Sequence, residues 1–121
     1  MQDLTCKIKY DSLHGMDCYL KVDREPILED GMGNLLKLIG KNLRVREIDK
    51  RTSTGHIKYV FSFIISEDGE VISIRLERGK LDKEVYDKLY NLFKSTNWQP
   101  ARCNDDYVPI KIELPIYATL G

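Results

Sequence analysis

The feature that most restricts the fold is a β-hairpin signature at positions 56–77. HIKYVFSFII (56–65) is rich in β-branched and aromatic residues, the composition of a strand. Ile57, Tyr59, Phe61, Phe63 and Ile65 alternate onto one face. Val60 and Ile64 make the other face partly apolar, which predicts a central strand. Ser66-Glu67-Asp68-Gly69 follows, and Asp-Gly between two strand patterns signals a tight hairpin turn. The return strand is EVISIRLE (70–77), where Ile72, Ile74 and Leu76 alternate with Ser73, Arg75 and Glu77.

Such a hairpin leaves an apolar face that needs covering, and the next segment supplies the cover. Leu81, Val85, Leu89, Leu92 and Phe93 form an apolar stripe at helical spacing over about 83–95. Asp82 is placed to cap this helix, with Leu81 and Tyr86 forming a hydrophobic staple across it. Ser95-Thr96-Asn97 ends the helix, Pro100 prevents a restart, and Asn104-Asp105-Asp106 makes a polar turn. A last strand is predicted over 107–120. Val108, Ile110, Ile112, Leu114 and Ile116 share one face and alternate with Lys111 and Glu113. Pro109 and Pro115 cannot donate ladder hydrogen bonds, so the expectation is an edge strand or an irregular one. Three antiparallel strands with a helix over one face make an α+β unit.

Upstream, residues 4–10 and 17–23 read as two short strands joined by a turn containing Asp11, Ser12 and Gly15, an N-terminal hairpin. A helix is expected over 31–42, on the spacing of Met32, Leu35, Leu36, Ile39 and Leu43, with Asp30 as its cap. Positions 44–55 read as a loop or a frayed helix end. The chain then divides into an extension, 1–24, and a main unit, 25–121.

The 121 residues carry 19 basic and 19 acidic side chains. This balance argues against a general nucleic-acid role, which needs a basic surplus. No stretch is long and apolar enough to insert in a membrane. The three cysteines leave at least one unpaired in a monomer. Cys6 and Cys18 face each other if the N-terminal hairpin forms, which makes a disulfide between them one reading and buried thiols the other. Cys103 reads as an inert thiol or a disulfide partner. His14 and His56 stand alone, with no metal-ligand spacing around them. Glu67 and Asp68 sit in a turn whose backbone needs Asp-Gly. No nucleophile–base pair is legible, so neither an enzyme nor a cofactor is expected. The Met1-Gln2-Asp3 start reads either as that of an exported chain whose leader was replaced by an initiator Met or as a native cytoplasmic start, which looks the same.

The order of elements from Gly55 onward resembles the TonB C-terminal domain family. The elements that carry it are FSFIISEDGEVISIRLERG with Gly69 at its turn, Leu81-Asp82, Trp98-Gln99-Pro100, and VPIKIELPI. The resemblance spans about 65 residues; upstream, Glu25-Pro26, Gly31-Met32-Gly33, LLKLIGKN and Leu43 match more weakly. The Pro-Gly-Gly of some relatives is missing, and Arg44-Val45 replaces their Tyr-Pro. The resemblance implies a three-stranded antiparallel sheet covered on one face by helices, here with an extra N-terminal β-hairpin. It implies a periplasmic module, linked to TonB-dependent transport, that binds an extended segment of an outer-membrane transporter or another envelope protein by strand addition. On that expectation Tyr107, Val108, Ile110, Lys111, Ile112, Glu113, Leu114 and Ile116 form the partner-binding edge, with Lys111 and Glu113 discriminating charge. Gly69, Leu81, Asp82, Trp98 and Pro100 are structural. The alternatives are a TolA-like envelope scaffold and an edge-strand homodimer. The membrane helix and Pro-rich linker of energy transducers are not in these 121 residues. A piece of a longer transducer and a stand-alone relative both stay open.

Overall fold

The 56–65 strand forms as its composition demands and becomes the centre of the fold. The computed structural model describes residues 6–43 and 56–119. In chain order the elements are β1 (Lys7–Asp11), β2 (Met16–Lys21), β3 (Ile27–Leu28), α1 (Met32–Asn42), β4 (His56–Ile65), β5 (Val71–Arg78), α2 (Lys83–Lys94), β6 (Trp98–Gln99), β7 (Ala101–Cys103), β8 (Asp106–Val108) and β9 (Ile110–Thr119). The predicted 44–55 connection lies outside the described residues.

The fold is α+β, with a main sheet in the order β1-β2-β9-β4-β5. The trio at one end of this order, β5-β4-β9, is antiparallel. The sheet has five strands rather than the expected three, because the N-terminal hairpin joins it. β2 meets β9 in parallel at Tyr19 and Ile110, where the Tyr19 N–H donates to the Pro109 carbonyl at 3.0 Å. The expectation of an edge or irregular strand is corrected at the start of the last strand, where β2 flanks it, and holds past Ile110, where no strand among the described residues pairs with its second side. β9 lies inside the sheet, paired with β4 from Ile110 to Thr119 and flanked by β2 at its start. The prolines permit this for a physical reason. Pro109 falls between β8 and β9 and serves only as an acceptor. Main-chain groups alternate in direction along a strand, so counting on from Pro109 turns the nitrogen of Pro115 away from β4.

The core lies between the β4 face carrying Tyr59, Phe61, Phe63 and Ile65 and the two helices. Leu35 and Ile39 of α1 and Leu89 and Phe93 of α2 close over it, all at most 2% exposed. Phe93 packs on Phe61 at 5.1 Å and on Phe63 at 5.3 Å between ring centroids. Such aromatic pairs add to area burial of about 1.5–3 kcal/mol per large side chain. Asp82 stands at the N-cap of α2 but makes no capping side-chain bond. Gly31, not Asp30, caps α1.

The two structural signatures in the second half meet in space. Gly69 has φ +86°, and a Cβ there would lie 2.1 Å from the carbonyl oxygen of Trp98. Trp98 is 7% exposed, packs on Phe63 at 5.9 Å and donates its Nε1–H to Thr96 Oγ1. Its strand, β6, pairs with β3.

Candidate functional site

Register sets what the second face of the sheet presents. Ser62 of β4 stands opposite Glu113 and Arg75, and Ile64 stands opposite Lys111 and Ser73. Alternation puts these residues away from the helices. Ser62 and Ile64 are nevertheless 0% exposed, because the β1–β2 hairpin folds across this face. Asp11 shapes its turn: its carbonyl accepts from the Gly15 N–H at 2.7 Å and its Oδ1 from the His14 N–H at 3.0 Å.

That turn aims His14 at the sheet. Its Nδ1 lies 2.5 Å from Ser73 Oγ and its Nε2 lies 2.8 Å from Ser62 Oγ. Burial depresses the His14 pKa, so the imidazole is held neutral. The Arg75 Nε–H donates to the Leu13 carbonyl at 3.4 Å. Beside this, Lys111 Nζ bridges Asp11 at 2.6 Å, Glu77 at 3.2 Å and Glu113 at 3.5 Å. The hydrogen bond from Lys111 holds Asp11 below the usual carboxylate range. Burial works against the charge of Lys111, but its bonds to Asp11 and Glu77 outweigh that and raise its pKa.

A groove of about 420 Å³ remains between hairpin and sheet, with Lys9, Tyr10, Leu13 and Leu20 on one wall and Glu77 and Glu113 on the other. The Ser–His contacts do not assemble a catalytic triad. Both ring nitrogens of His14 face hydroxyls, so no carboxylate orients the ring. Among the described residues, no cluster of three or more His, Cys, Asp or Glu is arranged to hold a metal ion, and no helix is long and apolar enough to cross a membrane.

The residues expected to bind a partner separate into groups. Val108, Ile110, Leu114 and Ile116 are buried in the core, with Ile112 partly buried beside them. Tyr107 is on β8, 55% exposed, with the Arg102 guanidinium over its ring at 5.3 Å. Lys111 is consumed by its carboxylates and its side chain is only 11% exposed, so it is not the outward charge expected of it. The Glu113 side chain remains 60% exposed.

The surface β9 still offers is main chain. Beyond Ile110, no strand among the described residues pairs with its β2 side. Counting from the Tyr19–Pro109 bond, Glu113, Pro115 and Tyr117 turn their main-chain groups to this side. Pro115 has a carbonyl but no N–H to offer there.

The cysteine pairing also differs from the expected one. Cys6 is bonded to Cys103, with Cα atoms 6.2 Å apart, and Cys18 is a buried thiol. Cys18 and Cys6 do not meet because Cys18 lies opposite Lys9 in the hairpin register, while Cys6 precedes β1. Burial raises the Cys18 pKa and keeps the thiol protonated. The polar cluster around His14 was not legible in the sequence. Its only trace is Ser62 interrupting the apolar run 59–65. Compared with protein-family models, curated proteins and solved structures, the chain shows no significant match to any of them.

Proposed function

We propose that this chain is a non-enzymatic interaction module of the TonB C-terminal type. It acts in the periplasm and takes up an extended segment of an outer-membrane transporter or other envelope protein as an added strand. The observation that carries this reading is the antiparallel β5-β4-β9 trio with both helices over one face and the β2 side of β9 open past Ile110. Open N–H and C=O groups there supply the main-chain bonds of strand addition, and the exposed Glu113 carboxylate supplies selectivity. The Cys6–Cys103 disulfide fits an oxidising compartment.

The test is a titration of the isotope-labelled chain with peptides from the N-terminal segments of outer-membrane transporters, read by NMR. Shifts are expected over 112–117. Glu113→Pro removes an outward N–H and should weaken binding about tenfold, the worth of a lost hydrogen bond in a desolvated edge. No binding at millimolar peptide, or shifts confined to the helices, would sink the reading.

A further inference from the structure

One of the two outermost strands of the sheet, β1, is built unlike an ordinary edge. Strands at a sheet edge normally bury one face. In β1 the residues Lys7, Ile8, Lys9 and Tyr10 are all exposed, so both faces are bare. Ile8 and Tyr10 are 54% and 59% exposed, and Leu13 and Leu20 of the same hairpin are each 45% exposed.

The strand is nonetheless anchored at both ends. Cys6, immediately before it, is tied to Cys103, and Asp11 at its end is tied to Lys111. A pre-set strand spares a partner much of the ordering cost of association. Its far side has no strand neighbour among the described residues, so a row of N–H and C=O groups is open.

Charge identifies the occupant. Lys7 stands directly opposite Lys21, a like-charge pair, and Lys9 stands opposite the neutral Cys18. Among the described residues none of these three lysines has a carboxylate at salt-bridge distance, and Asp11 is spent on Lys111. A second copy of the same strand would bring lysine against lysine, so the charges select against self-pairing. A lipid surface would leave the open main-chain groups unsatisfied. We infer that β1 is a second docking edge, which takes an extended protein segment alternating acidic and apolar residues as a sixth strand. The acidic side chains meet Lys7, Lys9 and Lys21, and the apolar ones lie on Ile8 and Tyr10.

The experiment titrates the full oxidised chain, isotope-labelled, with a short peptide alternating Glu and Val. A matched Lys/Val peptide and phosphatidylglycerol vesicles form parallel arms. Expected are NMR shifts centred on residues 7–10, slowed amide exchange in β1, and affinity that falls with salt. Replacing Lys7→Glu and Lys9→Glu together should weaken binding about tenfold, since each exposed pair turns from attraction to repulsion. Lys7→Arg with Lys9→Arg should bind as the parent does. The inference is overturned if the Lys/Val peptide binds equally well, if the shifts fall on β5 or on 112–117, or if the vesicles bind while the Glu/Val peptide does not.

Discussion

At Gly69 the backbone sits at φ +86° and the Trp98 carbonyl oxygen occupies the space a Cβ would need. The Trp98 N–H also donates to the Gly69 carbonyl at 3.3 Å. A turn glycine and a post-helix tryptophan, far apart in sequence, thus make one contact between main chains. Neither can yield, because the blocking atom is backbone. Gly69→Ala is expected to lower unfolding free energy by about 2–4 kcal/mol, from the strained φ and the forced displacement together. Gly40 in α1 meets nothing within 4 Å at the same added carbon. There the identical substitution should stabilise by about 0.5–1 kcal/mol, through helix propensity alone. Urea denaturation of the two variants checks both signs. Equal effects would mean that the Gly69–Trp98 approach is not what makes that turn require glycine.

Among the elements, the β1–β2 hairpin shows how far local patterning reaches. Both strands, their turn, β4, β5 and α2 were legible because alternation, Asp-Gly and the apolar stripe are local signals. The docking of the hairpin was not. It rests on His14 meeting Ser62 and Ser73, residues 48 and 59 positions away, and no periodicity encodes such a meeting. The pairing of β9 with β2 at Ile110 escapes local patterning for a related reason. A proline in a strand needs only its nitrogen side unpaired, as at Pro115, and that direction depends on register, so it leaves open that β2 flanks the start of the same strand. The docking makes the hairpin sensitive to pH. Burial favours neutral His14 in the folded chain, whereas the unfolded chain takes up a proton near the ordinary value of 6.5. Below that pH the unfolded state therefore binds more protons, and stability falls as pH drops from about 6.5 toward the depressed folded value. Asp11 acts in a separate, lower window. Its folded pKa is depressed, so its contribution is present above 3.8 and is lost as pH falls below that. His14→Ala should cost about 1–3 kcal/mol at pH 7.5, because it strands the buried Ser62 hydroxyl. It should also flatten the stability curve between about pH 7 and 5. A His14→Ala variant that keeps the parent slope in that range would contradict the assignment.

Across the whole molecule, one covalent bond decides whether these elements unfold together. The Cys6–Cys103 disulfide spans a sequence separation of 97, nearly the full chain, and it joins the N-terminal hairpin to the β7–β8 turn region. That region is itself placed by the fold. Asn104 and Asp105 have φ 52° and 71°, the two-residue turn that lets β7 pair with β8, and the Asn104 N–H donates to Asp23 Oδ2 at 2.9 Å. A loop this long restricts the unfolded chain by about 4–5 kcal/mol in the chain-entropy account, and strain or residual structure lowers what is realised. Reduction is therefore expected to remove about 3–5 kcal/mol of unfolding free energy. Cys6→Ser with Cys103→Ser should reproduce the reduced protein, and Cys18→Ala should respond to reductant as the parent does, since its thiol is unbonded. The single tryptophan, Trp98, is packed against Phe63 in the core and reports core unfolding by fluorescence. Amide exchange in β1 reports the hairpin. With the disulfide intact the two should share one midpoint, because the hairpin is tied at Cys103 and at Lys111. With it reduced, the hairpin keeps the polar His14, Arg75 and Lys111 contacts, the Tyr19–Pro109 main-chain bond and the buried Cys18, less than what holds the core, and should open at lower denaturant than the core. Coincident transitions after reduction would mean that the buried Cys18 of β2 and the remaining hydrogen bonds hold the hairpin as strongly as the disulfide does.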